Sequence, residues 1–312
     1  MNARTAAATH GSDALHRAHR QRDWRETLAA FTLAGPATFL IGLFLIAPLL
    51  CIAALSLTDY QLGAKGLNWI GLGNYHEMFA DRVFRRSLQN TLVYVAVVVP
   101  LSVLLGLGAA LLIEAGTSLR AFYRTAYFLP VMATLIAMAI VWEFALHPKL
   151  GLINIALKSV GMAGQDWLQN RNLVLYTLAG IGIWQSVGFN MVLFMAGLAA
   201  IPKDLYEAAA IDGVHNAWDR FRSVTWPMLG PVSLFVIVIT AIRSFQVFDT
   251  VQVMTKGGPN RASEVLLYTM YAEGFEFFRS GYAAAVTVVF LVFVLALALL
   301  KTWFLDRRVH YA

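Results

Sequence analysis

The chain has few charged residues and a single cysteine. Of its 312 residues, 13% are Asp, Glu, Lys or Arg, whereas soluble globular domains carry about 25%. Cys51 lies in an apolar run, which excludes a disulfide framework and a thiolate metal cluster. The mean hydropathy is +0.63. This composition places the chain among membrane proteins rather than soluble domains.

A phosphate-binding loop is also missing. The pattern G-x-x-x-x-G-K-[ST] does not occur, and no glycine is followed by lysine. If ATP drives this protein, another chain must bind it. The alternative is ion coupling, which generally uses carboxylates or histidines deep in the membrane. Glu143 and Asp249 lie towards the ends of apolar runs, which favours an external motor. No catalytic residue and no metal ligand is predicted.

Positive charge is concentrated before the first apolar run. Five arginines lie within residues 1–30 and lead directly into an uncharged stretch. This arrangement is typical of a cytoplasmic flank facing anionic lipid, and it argues against a nucleic-acid partner. The apolar stretch is too long for the core of a signal peptide. We therefore expect the chain to be retained in the membrane.

Long apolar runs predict an all-α, polytopic membrane protein with six transmembrane helices, since a span needs about 20 residues. Lysine and arginine are slightly in excess on the side of the N-terminal cluster, which predicts a cytoplasmic N-terminus, C-terminus and 202–222 segment. The predicted spans are 31–57, 91–113, 125–146, 173–201, 223–248 and 282–305, in a membrane domain of residues 31–305 between tails 1–30 and 306–312. Five glycines in the second and fourth spans are expected to permit close helix packing: Gly106, Gly108, Gly180, Gly182 and Gly188.

The segment between the fourth and fifth spans is short and polar, yet patterned. Pro202 and Gly213 bracket a helix, because proline favours a first turn and glycine a position just past the last. Small alanines would let another protein approach closely, and two carboxylates would face basic groups on it. A second short helix with an apolar face follows the glycine. The residues predicted to contact a partner are Glu207, Ala208, Ala209, Asp212, Gly213, Phe221 and Pro227.

Several motifs together resemble one protein family. They are EAAAIDG at 207–213, TKGGP at 255–259, IGLGNY at 70–75 and FYRTAYFLP at 122–130. The chain resembles the inner-membrane permease subunits of binding-protein-dependent ABC importers. Within that family it is similar to the sugar branch, and to the subunit type of maltose, lactose and glycerol-3-phosphate importers that partners a second, different permease.

The resemblance implies a function for the polar segment. In this family the segment, called the EAA loop, inserts as a coupling helix into a cleft on an ATPase subunit. It implies an inner-membrane protein of a bacterium or archaeon, surrounded by lipid, that works with an ATPase dimer, a second homologous permease and an extracytoplasmic solute-binding protein. ATP and Mg²⁺ would be bound by the ATPase, with no cofactor on this chain, and a sugar-like solute would cross by alternating access. An ion-coupled secondary transporter and a non-transporting scaffold remain the alternatives.

The chain departs from the family pattern near the loop. Val214 replaces the usual alanine, Trp226 replaces the usual leucine, and one extra residue separates Gly213 from Pro227. These changes concern the geometry of the second short helix. They leave the predicted docking role in place.

Polar residues near the outer halves of the spans are candidates for the substrate path. For each of them the alternative is ordinary hydrogen bonding between helices, and for Arg243 it is snorkelling to the interface. Trp142 and Trp184 are compatible with packing or with stacking under a sugar ring. The path candidates are His147, Gly151, Gln185, Asn190, Arg243, Ser244 and Gln246.

Overall fold

The structure, a computed structural model, describes residues 31–116 and 118–308. The chain divides into two units between Leu55 and Ser56, and each is described by itself. The described part of the first unit is one apolar helix, α1 (Phe31–Leu55), which contains a π-helical turn at Gly42–Ile46. Twenty-five residues of this hydropathy are enough to cross a bilayer.

The second unit is a helical bundle with short helices at both ends. Its described residues include one isolated antiparallel bridge, between Thr58 and Trp69. A π-helical turn separates α9 from α10, and another follows α12. The helices are α2 (Gly73–Ala80), α3 (Arg82–Ala115), α4 (Arg120–Met132), α5 (Leu135–Ala145), α6 (Leu152–Ser159), α7 (Val174–Ala199), α8 (Lys203–Ile211), α9 (Ala217–Arg220), α10 (Trp226–Phe245), α11 (Asp249–Met254), α12 (Leu266–Tyr271) and α13 (Ser280–Arg308).

The prediction of an all-α polytopic membrane protein is confirmed. Within the described residues, five helical stretches are long and apolar enough to cross a membrane, and a bent pair makes a sixth if it is one span. The five stretches are Phe31–Leu55, Arg82–Ala115, Val174–Ala199, Ala217–Met254 and Ser280–Leu299. The predicted spans therefore fall on the observed helices, with changes at three of them. The parts of the predicted tails at 1–30 and 309–312 lie outside the described residues.

The third span, predicted as one helix over 125–146, is broken. Helices α4 and α5 meet at an angle of 98°, because Ala133 and Thr134 both have extended backbone conformations. Pro130, inside α4, has no N–H to donate to the preceding turn, which weakens the helix just before the break. The apolar composition of 125–146, in which Glu143 is the one charged residue, shows its hydrophobicity but not this bend.

Two other spans begin earlier than predicted. The second, predicted from residue 91, starts at Arg82, where the Asp81 carboxylate accepts a hydrogen bond from the Val83 N–H and caps the helix. The fifth, predicted from residue 223, is continuous with the second short helix of the polar segment and starts at Ala217. In both cases polar first turns extend an apolar helix beyond its hydrophobic stretch.

The centre of the bundle is a close contact between α3 and α7. A Cβ placed on Gly106 would lie 2.7 Å from the Asn190 Cβ, so only glycine fits there. The buried Asn190 amide donates to the Ser102 hydroxyl on α3 (3.3 Å) and accepts from the Thr240 hydroxyl on α10 (2.8 Å). Three long helices are thus joined through one side chain. For Asn190 the structure therefore favours hydrogen bonding between helices over a place in the substrate path.

The other four glycines of the second and fourth spans differ in how much space surrounds them. A Cβ on Gly182 would overlap the Tyr94 hydroxyl, and one on Gly188 would overlap the Tyr127 carbonyl oxygen of α4. Gly108 and Gly180 instead have no heavy atom within 4 Å of such a Cβ. The prediction of close helix packing is therefore confirmed for Gly106, Gly182 and Gly188. It is wrong for Gly108 and Gly180 within this chain.

At the end of the bundle opposite the 202–222 segment, charged groups join the residues around the start of α13 to α2 and Asp81. The Arg279 guanidinium pairs with the Glu273 carboxylate at 3.2 Å and with the Glu77 carboxylate of α2. The Tyr282 hydroxyl donates to the Asp81 carboxylate at 2.9 Å. These contacts connect the start of α13 to the segment that precedes α3.

We expect Gly188→Ala to destabilise the protein and Gly180→Ala, on the same helix, to leave it as stable or slightly more stable. The first substitution forces α4 away from α7, and overpacking of this kind costs about 1–3 kcal/mol. The second fills open space and gains up to about 1 kcal/mol of helix propensity. Thermal unfolding of the two purified variants in detergent measures the difference. Equal shifts for both variants would contradict the close α4–α7 contact.

Candidate functional site

The first short helix of the polar segment ends in a complete Schellman motif. Gly213 has φ +89°, the left-handed region. Its N–H donates to the Ala210 carbonyl (3.2 Å), and the Val214 N–H donates to the Ala209 carbonyl (2.9 Å). These bonds satisfy carbonyl groups that the end of a helix otherwise leaves unpaired. The glycine predicted from the sequence to end α8 therefore also reverses the chain.

Helix α8 rests on the bundle through its inner face. Ala209 and Val224 are buried in one apolar cluster with Ile201 and residues of α3, α7 and α10. The hydroxyl groups of Tyr206 and Thr225 are hydrogen-bonded at 3.1 Å, which joins α8 to the π-helical turn before α10. Ala209 therefore faces the bundle, and its prediction as a partner-facing residue is corrected by this burial.

The outer face of α8 is open. Glu207, Ala208, Asp212 and Gly213 are exposed, as expected of residues that meet a partner. Ile211, which sequence reasoning missed, is 87% exposed. An isoleucine this exposed beside two carboxylates gives the face an apolar centre with an acidic edge. Its position directly before Asp212 and Gly213 is the signal that could have identified it.

The second short helix continues into the fifth span through a π-helical turn. The Asn216 side chain caps α9 by accepting from the Asp219 N–H (2.7 Å). The Trp226 N–H then donates to the Phe221 carbonyl, which closes the π turn at Phe221–Thr225. A π turn accommodates one more residue than an α turn over the same contact. It lies in the same stretch as the extra residue noted before Pro227.

Three aromatic rings cover the outside of this turn. Phe221 is stacked on Trp218 with ring centroids 5.8 Å apart, and the Trp226 ring lies 6.0 Å from it. Phe221 is half-buried, while Trp218 and Trp226 are 67% and 49% exposed. Phe221 therefore supports two exposed indole rings, and those rings were missed as surface residues. The exposed Pro227 follows them in the first turn of α10.

A second candidate site is a polar cleft between α7 and the far end of α10. It brings together four predicted path residues, Gln185, Arg243, Ser244 and Gln246. Its water-accessible volume is about 130 Å³. This volume is enough for on the order of ten water molecules. Residues distant in sequence thus form one concave surface, in which polar groups lie among apolar walls. The lining also includes Tyr94, Val98, Val131, Leu135, Ile181, Gly182, Ser186, Val247, Phe248, Asp249 and Thr250.

Within the cleft, Arg243 and Thr250 are unusual. The Arg243 guanidinium lies 4.3 Å above the centroid of the Phe189 ring. The Thr250 hydroxyl is buried and has no hydrogen-bond partner among the described residues. Asp249 and Thr250 were missed as site residues because they follow the apolar run. They are the first two residues of α11, and both line the cleft.

Three other predicted path residues are not in the lining of this cleft. His147 and Gly151 form the turn between α5 and α6, where the His147 ring nitrogen accepts from the Leu150 N–H (3.2 Å). A Cβ on Gly151 would lie 2.5 Å from the Ala145 carbonyl oxygen, so this glycine serves the turn. Asn190 is held inside the bundle by the bonds described above. Trp142 and Trp184 pack edge to face at 5.4 Å.

Comparison with known proteins connects these features to one family. Residues 102–311 match the family described as the binding-protein-dependent transport system inner membrane component. The probable ABC transporter permease protein YesP of Bacillus subtilis is 35% identical over 96% of this chain and 97% of its own length. The sn-glycerol-3-phosphate transport system permease protein UgpA of Agrobacterium fabrum is 31% identical over 90% and 96%.

A solved structure shares the fold. A chain of a bacterial alginate ABC transporter, in complex with its alginate-bound periplasmic protein, superposes with a TM-score of 0.80 at 21% identity, covering 92% of this chain and 96% of that chain. The family match over residues 102–311 includes the 202–222 loop and the part of the cleft formed by α7, α10 and α11. The chain belongs to the inner-membrane permease family of binding-protein-dependent ABC transport systems.

Proposed function

We propose that this chain carries a sugar or sugar-like solute through the cytoplasmic membrane as one permease of an ATP-driven importer. One observation supports this most directly: a single helical stretch, Ala217–Met254, links the polar loop at one end of the bundle to the polar cleft near the other. A displacement of the loop therefore moves residues of the cleft. Family membership supplies the importer context, and it gives no support to an ion-coupled transporter.

The solute class rests on the relatives. UgpA is named for sn-glycerol-3-phosphate transport, and the structural relative is described as an alginate transporter. Both solutes are polyhydroxylated. The cleft offers amide, hydroxyl and guanidinium groups, which suit hydroxyl-rich solutes because such solutes need many hydrogen-bond partners.

The partners follow from the same reasoning. The exposed face of α8 would dock on an ATPase dimer, which would bind ATP and Mg²⁺, while this chain has no cofactor and catalyses no hydrolysis. A second homologous permease would complete the pathway, and an extracytoplasmic binding protein would deliver the solute. In this topology both termini and the 202–222 loop face the cytoplasm.

The geometry gives a mechanism for coupling. Helix α8 is connected to the base of α10 by the buried Ala209 and Val224 and by the Tyr206–Thr225 hydrogen bond. Movement of a docked ATPase would therefore rotate or translate α10 rather than bend a flexible loop. Alternating access then requires that ATP bind one of the two states more tightly than the other.

We expect Gly213→Ala to reduce both capture of the ATPase and ATP-driven uptake several-fold. At φ +89° a Cβ strains the backbone by about 1–2 kcal/mol, so the Schellman motif opens and the exposed face of α8 shifts. Gly63→Ala is the matched control, because Gly63 has φ +90° and equally open surroundings away from the loop. Co-purification with the neighbouring ATPase and uptake into proteoliposomes are measured for both variants. If the two variants behave alike, backbone strain alone explains the loss and the docking role fails.

Removing one residue from the π turn should be tolerated. Deletion of the exposed Ser223 lets the turn relax to an α turn, so the flanking helices keep their relative orientation. Deletion of Ile237, inside α10, instead rotates all later residues by about 100° around the helix axis. We expect the first variant to retain uptake and thermal stability, and the second to lose both. Loss of uptake and stability on deletion of Ser223 would show that the π geometry itself is required.

A further inference from the structure

We propose that the cleft accepts a solute bearing an anionic group, a carboxylate or a phosphate, and that Arg243 is the residue that selects it. This inference rests on the proposed function and narrows its substrate class. The shared chemistry of uronates and sugar phosphates is an anionic group with several oxygens, which a planar guanidinium can bind through two parallel hydrogen bonds.

Arg243 has no acidic partner among the described residues. No Asp or Glu oxygen of the described residues lies within 4.0 Å of its guanidinium, although other arginines of the chain, such as Arg279 and Arg261, have such partners. Its charge is therefore not neutralised by direct contact. A permanent cation in a cleft with apolar walls attracts anionic ligands and orients them.

The Arg243 guanidinium also lies against an aromatic ring. Its carbon lies 4.3 Å above the centroid of the Phe189 ring, so the cation is held over an aromatic face. No hydrogen bond joins its N–H groups to another of the described residues, so they are available to a ligand. A planar group supported on an aromatic ring loses less conformational freedom when it binds a ligand than a mobile side chain does.

The surrounding residues complete a binding site for the rest of the solute. The buried Thr250 hydroxyl lacks a partner among the described residues, and a buried polar group without a partner is destabilising unless a ligand or water satisfies it. Gln185, Ser244 and Gln246 add donors and acceptors for hydroxyl groups. Asp249 in the same lining would accept from hydroxyls, while its charge disfavours an anion placed beside it. The anionic group is therefore assigned to the Arg243 side of the cleft.

The test measures binding to the purified complex of both permeases and the ATPase, without the binding protein, by equilibrium dialysis with radiolabelled probes. The probes form two pairs, glucuronate with glucose and glycerol 3-phosphate with glycerol. We expect at least one acid to bind ten-fold or more tightly than its neutral partner. Arg243→Gln should weaken that acid ten- to hundred-fold and leave the neutral probe unchanged. Preference for glucuronate indicates a carboxylate, and preference for glycerol 3-phosphate indicates a phosphate.

Further variants separate charge from geometry. Arg243→Lys should retain part of the preference, since it keeps the charge and loses the bidentate fork. Asp249→Asn should preserve or increase it. Arg85→Gln, an exposed residue outside the cleft, removes the same net charge and should have no effect. Equal binding of acids and neutral probes, absence of acid binding at millimolar concentration, or an equal effect of Arg85→Gln would overturn the inference.

Failure of the inference is distinguishable from failure of the proposed function. Proteoliposomes that also contain the binding protein are supplied with ATP and with the solute that the binding protein binds. ATP-driven uptake of a neutral solute, unchanged by Arg243→Gln, would leave the importer function in place and refute the anion site. Absence of ATP-driven uptake of every such solute would count against the importer function itself.

Discussion

The structure depends on the close contact between α3 and α7 inside the bundle. Helices in a membrane are not driven together by water exclusion, so their association relies on close packing and hydrogen bonds. Gly106 brings the two backbones near each other, and Asn190 uses that proximity to reach Ser102. The same amide also accepts from Thr240 on α10. The position of α10, and with it the position of both candidate sites, follows from this contact.

Helix α10 then connects sites at opposite ends of the bundle. Its first turn follows the π turn that holds α8, and its last residues, Arg243 and Ser244, line the cleft. Intramolecular hydrogen bonds make a helix stiff along its axis, so a displacement at one end is not absorbed locally. Because the ATP-binding partner would contact only the loop, the stiffness of α10 would carry its movement to the cleft.

Much of the fold follows from composition and local signals, and some of it does not. Apolar length gave the spans, and Pro202 with Gly213 gave the bounds of α8, because both are local effects. The 98° break before Thr134 is not visible in hydrophobicity, since apolar residues continue on both sides of it. The burial of Ala209 depends on which face of α8 meets the bundle. The sequence also did not show that Asp249 and Thr250 line the same cleft as Arg243, because that depends on how the helices pack together.

The Schellman motif at Gly213 has a consequence for association. A loop that becomes ordered only on binding loses conformational entropy at that moment, about 1–2 kcal/mol for each residue fixed. Here the backbone hydrogen bonds at Ala209 and Ala210, together with the Tyr206–Thr225 bond, fix the loop within the chain itself. A partner therefore meets a preorganised surface and gains the full benefit of its contacts. Affinity at this surface would then respond mainly to the exposed side chains of α8, and only weakly to the flexibility of the segment.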